Sequence, residues 1–358
     1  MQQGFDPAAL QAAYQAAEEG EPRMRAIRQA ITEAERAQDF HAQMVFHRAL
    51  IKESVFTGDR YQALIDFPQY YALYESRKDL REEYRYNVLW TFKWILEAST
   101  EFPQIPKNQI VQWFSQFRKE LRQAGYSLQP FYNLRTLFYS YFDMARMRID
   151  YEDFQNAPRD RMSNSEADVK DISVQWELRF GHREKAEQLL KYIQDHHLQD
   201  EECPAKSYGY FLEDCVRKHE TENAEKYAKL LVPFCDGRRF RMEQSGMLMC
   251  YYALYDPQKG WEYLQKNADV RENSRNPFLC FWFDRGVMVL CEVLGKKGIT
   301  VKDKHGHTFS PQELLKKSEQ TRKSCADIAA QFDTRNESAF FSGALVEYDK
   351  FIADAINS

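Results

Sequence analysis

Apolar side chains recur along nearly the whole chain with the spacing of an α-helix, roughly 3.6 positions. The segments 80–99, 110–124 and 128–147 show this spacing clearly, and each predicts one helix. Short stretches rich in Gly, Pro and Asp interrupt the pattern, as at Gly58-Asp59 and Gly181. The pattern therefore predicts an all-α protein built from antiparallel helix pairs that tight turns join.

Helix-start residues and turn-rich stretches indicate how the chain is organised. Asp6-Pro7 and Ser310-Pro311 are typical of helix starts, and Asn336 is predicted to cap the last helix. The turn-rich stretch 156–166 is where we expect any joint between subdomains. The four predicted parts are an N-terminal helical cap (1–38), a first set of helical hairpins (39–155), a run of repeats (165–295), and an irregular excursion followed by C-terminal capping helices (296–358).

A small residue recurs five positions after several of the turns. These residues are Ala63, Ala186, Ala224 and Gly260, and the last three follow one another at intervals of 38 and 36 residues. Four positions after each of them comes an apolar residue, namely Phe67, Leu190, Ala228 and Leu264. Two antiparallel helices approach closely only where one side chain is small, and the apolar residue one turn later fills the groove to the next pair.

Two segments, FTGDRYQALIDFPQYYALYE (56–75) and FGHREKAEQLLKYI (180–193), carry this pattern best. They resemble the tetratricopeptide repeat family, whose second helix follows a turn and presents a small residue and then a large apolar one. The resemblance implies an α-solenoid of stacked helix pairs with helical caps at both ends. The spacing is longer than the family's repeat of about 34 residues, so a looser helical-repeat fold is the alternative.

The resemblance also implies which residues face a ligand, because the first helix of each pair lines the concave groove of such a solenoid. Positions fifteen, eleven and eight before each small residue should then lie on the groove wall, and Phe154 serves as a further, weaker reference point. The binding residues predicted in this way are Arg48, Lys52, Tyr139, Asp143, Arg146, Asp171, Gln175, Arg179, Glu213 and Arg217. Most of them are polar, which favours a continuous recognition strip for a peptide.

Charge and hydropathy exclude two classes of partner. The chain has 49 Lys and Arg against 54 Asp and Glu, so its formal net charge of −5 gives no general attraction to nucleic acid. No stretch of eighteen apolar residues and no secretory leader is found, so we expect neither a membrane protein nor a secreted one. All seven cysteines follow residue 200 without a C-x-x-C motif, which indicates reduced core thiols in a cytoplasmic protein.

Signals for catalysis are weak. The common nucleotide-binding, hydrolase, zinc-protease and calcium-binding motifs are missing from the sequence, so we predict no catalytic residue, no cofactor and no metal site. His305 and His307 are the residues that would chelate a metal if this prediction were wrong.

Aromatic residues make up 15% of the chain, and in 87–96 and 131–142 they recur on more than one helical face. Large rings at such positions are typically wedges between helix pairs, and the alternative is an aromatic surface for a homodimer.

The sequence therefore favours a non-catalytic cytoplasmic protein that binds a protein or peptide in the groove of a helical-repeat scaffold. Two alternatives stay open. One is a peptide-responsive regulator of the bacterial kind that changes shape on binding, and the other is a helical enzyme or metal protein.

Overall fold

The computed structural model describes residues 4–57, 60–200 and 203–357, without the side chains of residues 354 and 355. In this part of the chain it contains seventeen α-helices and one short β-hairpin, so the all-α prediction is confirmed. The predicted turn at Gly58-Asp59 lies outside the described residues. The chain divides into two compact units, Met1–Ser163 and Asn164–Ser358. The predicted division into four parts stays a prediction.

The first unit is a run of helices in which each packs against the next, while α5 also packs against α3 and α7. The helices are α1 (Pro7–Ala16), α2 (Glu21–Arg36), α3 (Phe40–Thr57), α4 (Arg60–Ser76), α5 (Arg81–Thr100), α6 (Lys107–Gln123), α7 (Gln129–Tyr139) and α8 (Met144–Asn156). A 3-10 turn, Lys78–Leu80, leads into α5.

Aromatic rings fill the centre of this first unit. Phe67 of α4 lies 4.8 Å from Phe92 of α5, which in turn lies 5.4 Å from Phe117 of α6, measured between ring centroids. All three side chains are buried. Edge-to-face and tilted rings at these distances attract each other beyond the burial of their surface, so many of the rings predicted as wedges between helices lie in the core.

Helix caps agree with the sequence at α1 and differ at α8. The Asp6 carboxylate accepts hydrogen bonds from the backbone of Ala8 and Ala9, as an N-cap does. The prediction of one helix over 128–147 is wrong, because α7 ends at Tyr139 and α8 begins after Asp143. The Asp143 carboxylate accepts from the Arg146 amide at 2.9 Å and so starts the new helix.

The second unit is made of helix pairs whose first members also pack against one another. The pairs are α9 with α10, α11 with α12, α13 with α14, and α15 with α16, and the neighbours α9–α11, α11–α13 and α13–α15 are in contact. The elements are α9 (Glu166–Arg179), α10 (Arg183–Asp195), α11 (Ala205–Arg217), α12 (Thr221–Cys235), α13 (Met242–Tyr255), α14 (Pro257–Glu272), α15 (Pro277–Lys296), β1 (Val301–Lys302), β2 (Thr308–Phe309), α16 (Pro311–Asn336) and α17 (Phe340–Asn357). The 3-10 turn Arg239–Arg241 precedes α13.

Small residues allow these helices to approach closely, as the sequence pattern indicates. Ala186 and Ala224 have no exposed surface. At Gly260 a Cβ atom would lie 2.8 Å from both Leu290 Cδ1 and Tyr252 Cβ. Contacts this short are not made by ordinary side chains, so α14 meets its neighbours only because residue 260 is glycine.

The closest helix crossing joins α13 to α15. A Cβ on Gly246 would lie 2.2 Å from the carbonyl oxygen of Trp282, and one on Gly286 would lie 2.6 Å from the carbonyl oxygen of Gly246. The two backbones are therefore in direct contact, which fixes the spacing of these two first helices.

The C-terminal part confirms one predicted helix start and corrects another. Ser310 and Glu313 form a capping box at the start of α16. Asn336 is the last residue of α16 and does not cap α17. The Asp333 carboxylate performs that role, because its two oxygens accept from the amides of Phe341 and Ser342 at 2.9 Å.

All seven cysteines are buried and free, as predicted for core thiols. Burial raises the pKa of the Cys250, Cys291 and Cys325 thiols to about 12. Within the described ranges, none of the helices has the length and apolar content needed to cross a membrane.

Candidate functional site

A row of polar side chains crosses the first helices α9, α11 and α13 of the second unit. The Gln175 amide donates to the Tyr210 hydroxyl at 2.6 Å, and that hydroxyl donates to Glu243 at 3.0 Å. Glu213 follows one turn further along α11 and Arg217 two turns further. We call these five residues the polar strip.

Electrostatics differ between the two acids of the strip. Burial raises the pKa of Glu243, although the hydrogen bond from Tyr210 opposes the rise. Burial would also raise the pKa of Glu213, but Arg217 and Arg285 outweigh it and hold that pKa below its usual range. The strip therefore combines a firmly ionised carboxylate with one that protonates more easily.

Arg285 of α15 lies behind the strip and is almost completely buried. Its guanidinium carbon is 4.1 Å from the centre of the Trp282 ring and 3.9 Å from that of the Tyr348 ring. One guanidinium nitrogen is 3.6 Å from Glu213. A buried cation between two aromatic faces is stabilised by their quadrupoles as well as by the carboxylate.

The last helix, α17, covers one end of the strip. The Tyr348 hydroxyl donates to Glu213 at 3.3 Å, and Glu347 lies 3.2 Å from Arg217. A cavity of about 300 Å³ lies beside these contacts, and Val216, Met247 and Phe351 are among its lining residues. It offers an apolar wall next to the charged groups, a combination that suits a side chain with an apolar body and a polar tip.

Two residues of α9 that the sequence predicts on an open groove wall are buried contacts between helices. Asp171 has only 1% of its surface exposed and accepts hydrogen bonds from the amide and the hydroxyl of Ser207 on α11. Gln175, 6% exposed, is bonded to Tyr210. The first helices pack so closely that these positions face the neighbouring helix, so Asp171 joins α9 to α11.

The third predicted residue of α9, Arg179, lies where α9 meets the start of α17. Its guanidinium carbon is 5.8 Å from the centre of the Trp176 ring and 5.3 Å from that of the Phe340 ring. Arg179, Glu213 and Arg217 are thus predicted residues that each contact α17 directly.

The predicted residues of the first unit form two separate groups. Arg48 lies over Trp94 at 5.8 Å, while Lys52, one turn along α3, is exposed. The Arg146 guanidinium lies 5.9 Å from the Tyr139 ring and 3.7 Å from Asp150. Asp143 is the N-cap of α8, which gives it a structural role.

An aromatic face on α5 lies beside Arg48. Tyr86, Trp90 and Trp94 are four positions apart and half-buried, and Tyr86 stacks on Trp90 with 5.8 Å between ring centroids. Lys93 Nζ is 3.7 Å from the Trp90 ring and donates to the carbonyl of Met162 at 2.8 Å. Trp90 and Trp94 of this face belong to the stretch 87–96, whose rings the sequence assigns to wedges or to a homodimer surface.

His305 and His307 lie in the turn of the β-hairpin. Their backbone amides both donate to the Asp303 carboxylate at 2.9 Å, and His307 Nε2 is 3.7 Å from Glu313. Among the described residues, no group of three or more His, Cys, Asp or Glu side chains is placed to hold a metal ion.

Several residues of this site are not among the sequence-based predictions. Arg285 and its neighbour Asp284 interrupt the apolar run FLCFWFDRGVMVLC, and charged residues inside such a run are a signal for a buried polar contact. Tyr210 lies three positions before Glu213, so helical spacing places it on the same face. Tyr348 carries no local signal, because its partner Glu213 is 135 positions away.

No protein-family model and no curated protein matches this sequence. Any function must therefore be inferred from the residues themselves.

Proposed function

We propose that residues 164–358 form a tetratricopeptide-like α-solenoid that binds a protein segment along the polar strip, without catalysis of its own. The order of contacts supports this proposal, because consecutive pairs pack through their first helices and the small residues of the repeat pattern are buried where helices meet. In such an array the row of first helices is the natural binding surface.

The observation that carries the proposal is the polar strip itself. Gln175, Tyr210 and Glu243 belong to three successive first helices and are joined by hydrogen bonds. Gln175 is buried and orients Tyr210, whereas Tyr210, Glu243, Glu213 and Arg217 keep exposed surface. Exposed polar side chains of this kind recognise the backbone and the charged groups of an extended or helical ligand. The alternative, in which they serve only the packing of the three helices, does not explain why Glu213 and Arg217 continue the row toward a cavity.

A cytoplasmic location belongs to the same proposal. Seven buried free thiols without a disulfide are typical of proteins from a reducing compartment.

Photo-crosslinking in the full-length chain tests the proposal. Benzoylphenylalanine replaces Tyr210 in the strip, and the matched control replaces Tyr192, which lies on the second helix α10 and is 36% exposed. We expect a discrete protein adduct in native lysate from position 210 and none from position 192. Equal adducts at both positions, or none at 210, would contradict a binding surface on the first helices.

A further inference from the structure

Helix α17 is amphipathic and lies with its apolar side on the second unit. Phe341, Leu345, Tyr348 and Ile352 follow one another at helical spacing, and all are buried. Val346, on the opposite side, is 68% exposed. The helix contacts α13, α15 and α16. An amphipathic helix that lies in a groove between other helices is a common mode of peptide recognition.

The start of α17 is held firmly. The Phe341 ring stacks on Phe332 of α16 with centroids 4.5 Å apart and meets Phe281 of α15 edge-on at 5.3 Å. Phe341 has no exposed surface. This end of the helix belongs to the aromatic core of the unit.

The distal half of α17 buries Tyr348 and Ile352, and its polar side is held by exposed ion pairs. Glu347 pairs with Arg217, and the two side chains are 61% and 53% exposed. Asp349 pairs with Arg322 of α16, and these side chains are 56% and 32% exposed. Exposed ion pairs contribute little to stability, so they give this half of the helix little additional hold. The cavity of about 300 Å³ lies under the same half, against Tyr348 and Phe351.

The surface under the distal half has a definite chemical character. The buried guanidinium of Arg285 can stack on an aromatic ring, and Glu213 can accept a hydrogen bond from a hydroxyl. Arg217 can form an ion pair with a carboxylate. Tyr348 and the preceding Glu347 satisfy all three at once. A helix that replaced them would need the same two groups, because Arg285 would otherwise lose one of its two stacking rings.

We propose that this surface binds an amphipathic helix of a partner protein that carries a tyrosine directly after an acidic residue, and that the distal half of α17 competes with it for the same place. This inference rests on the proposed function and names its ligand. The partner helix gains access when residues 345–357 lift away, while Phe341 remains in the core.

The test uses the full chain and a labelled synthetic peptide with the sequence of residues 345–357, the part that lifts away, and binding is followed by fluorescence anisotropy. Glu347→Lys with Asp349→Lys removes both exposed ion pairs of α17 and leaves the groove unchanged. The matched control, Glu222→Lys with Glu225→Lys, makes the same charge change on exposed positions of α12. We expect the α17 variant to bind the peptide roughly tenfold more tightly than the unaltered chain. The two lysines not only remove the ion pairs but also repel Arg217 and Arg322, so the internal competitor is weakened and more of the groove is open. The control should bind like the unaltered chain.

Recognition is tested separately with a peptide in which the tyrosine equivalent to Tyr348 is alanine. This peptide should bind at least tenfold more weakly to the α17 variant, since it cannot stack on Arg285. Equal affinity for the two peptides would overturn the proposed chemistry of the ligand.

The converse experiment uses a reversible crosslink that holds α17 in place, and the crosslinked protein is called the locked chain. Arg322→Cys with Asp349→Cys, joined by a short reducible crosslinker, ties α17 to α16 and leaves Arg217 and Arg285 in place. The native thiols are buried and their pKa values are raised, so they should react slowly. Peptide binding should be lost in the locked chain and return on reduction, and equal binding in both states would overturn the proposal.

Hydrogen exchange of residues 345–357 shows whether the helix is released. Full protection in the α17 variant, or release without tighter peptide binding, would overturn the proposal. A dimer that exchanges α17 between two copies would also overturn it, because the occupant would then be a second copy.

If the adduct at position 210 forms equally with α17 locked and free, this inference fails and the proposed function stands. If the adduct forms in neither state, the proposed function fails.

Discussion

Arg217 on α11 and Glu347 on α17 lie 3.2 Å apart, nitrogen to oxygen, and more than half of each side chain is exposed. This ion pair joins a predicted binding residue to the helix that covers it. Its exposure indicates a contact that forms and breaks easily, since water solvates both charges well when they separate.

A double-mutant cycle on this pair should give a small coupling energy. With Arg217→Ala, Glu347→Ala and the double variant, we expect roughly 0.2–1 kcal/mol in low salt, decreasing as salt is added. Urea denaturation measures each free energy of unfolding. The control cycle combines Arg217→Ala with Asp349→Ala. It should give a smaller coupling energy, because Asp349 pairs with Arg322 and not with Arg217. A coupling above about 2 kcal/mol would show a desolvated pair and contradict a contact that water reaches on both sides.

Gly246→Ala should destabilise the second unit strongly. The added methyl group would lie 2.2 Å from the Trp282 carbonyl oxygen, and two helix backbones cannot separate cheaply at a packed crossing. We expect a loss of about 3 kcal/mol in the free energy of unfolding. The control is Gly343→Ala on α17, where no atom lies within 4 Å of the new Cβ. That change should add about 0.5–1 kcal/mol, because alanine favours a helix more than glycine does. A Gly246→Ala variant as stable as the native chain would exclude the close crossing.

The stability of the second unit should depend on pH through Asp171. Burial raises the pKa of this carboxyl to about 6 in the folded chain, although hydrogen bonds from Ser207 oppose the rise. At pH values between the ordinary pKa of an aspartate and about 6, Asp171 keeps its proton in the folded chain and loses it in the unfolded chain. Stability therefore falls as the pH rises through this window, by at most about 3 kcal/mol.

Asp171→Asn should flatten this pH dependence, as denaturant titrations from pH 4 to 7 would measure. Ser207→Ala removes a donor that favours the carboxylate and should move the window to higher pH. An unchanged pH profile in both variants would mean that Asp171 keeps an ordinary pKa.

Asp143 should behave as a helix cap. Asp143→Ala removes the acceptor for the Arg146 amide and should cost the first unit about 1 kcal/mol, while Asp143→Asn should keep most of the stability. Thermal or urea unfolding of the full chain measures both variants. An Asp143→Ala variant as stable as the native chain would contradict the capping role.

Much of the helical framework could be predicted from the sequence because it depends on local patterns. Ala186, Ala224 and Gly260 mark helix contacts through their size and spacing, and Ser310 with Glu313 marks a helix start. The break between α7 and α8 is different. It contains neither Gly nor Pro, and its own Tyr141 and Phe142 continue the apolar pattern of α7 into it, so only the cap at Asp143 reveals it.

The candidate site could be predicted only in part. Helical spacing brings Glu213 and Arg217 onto one face, and both belong to the polar strip. The same spacing does not reveal that Asp171 faces a neighbouring helix, because that depends on how closely α9 and α11 approach. Tyr348 and Arg285 are brought together by tertiary packing, so the apolar pattern of neither helix predicts their contact.

The shielded cysteines make the chain its own chemical reporter. All of them follow residue 200, and the described structure keeps each of them inside the second unit. An alkylating reagent should therefore modify the chain only when this unit opens, whatever residues 1–163 are doing. The rate of alkylation thus measures how often the second unit opens, without an engineered label.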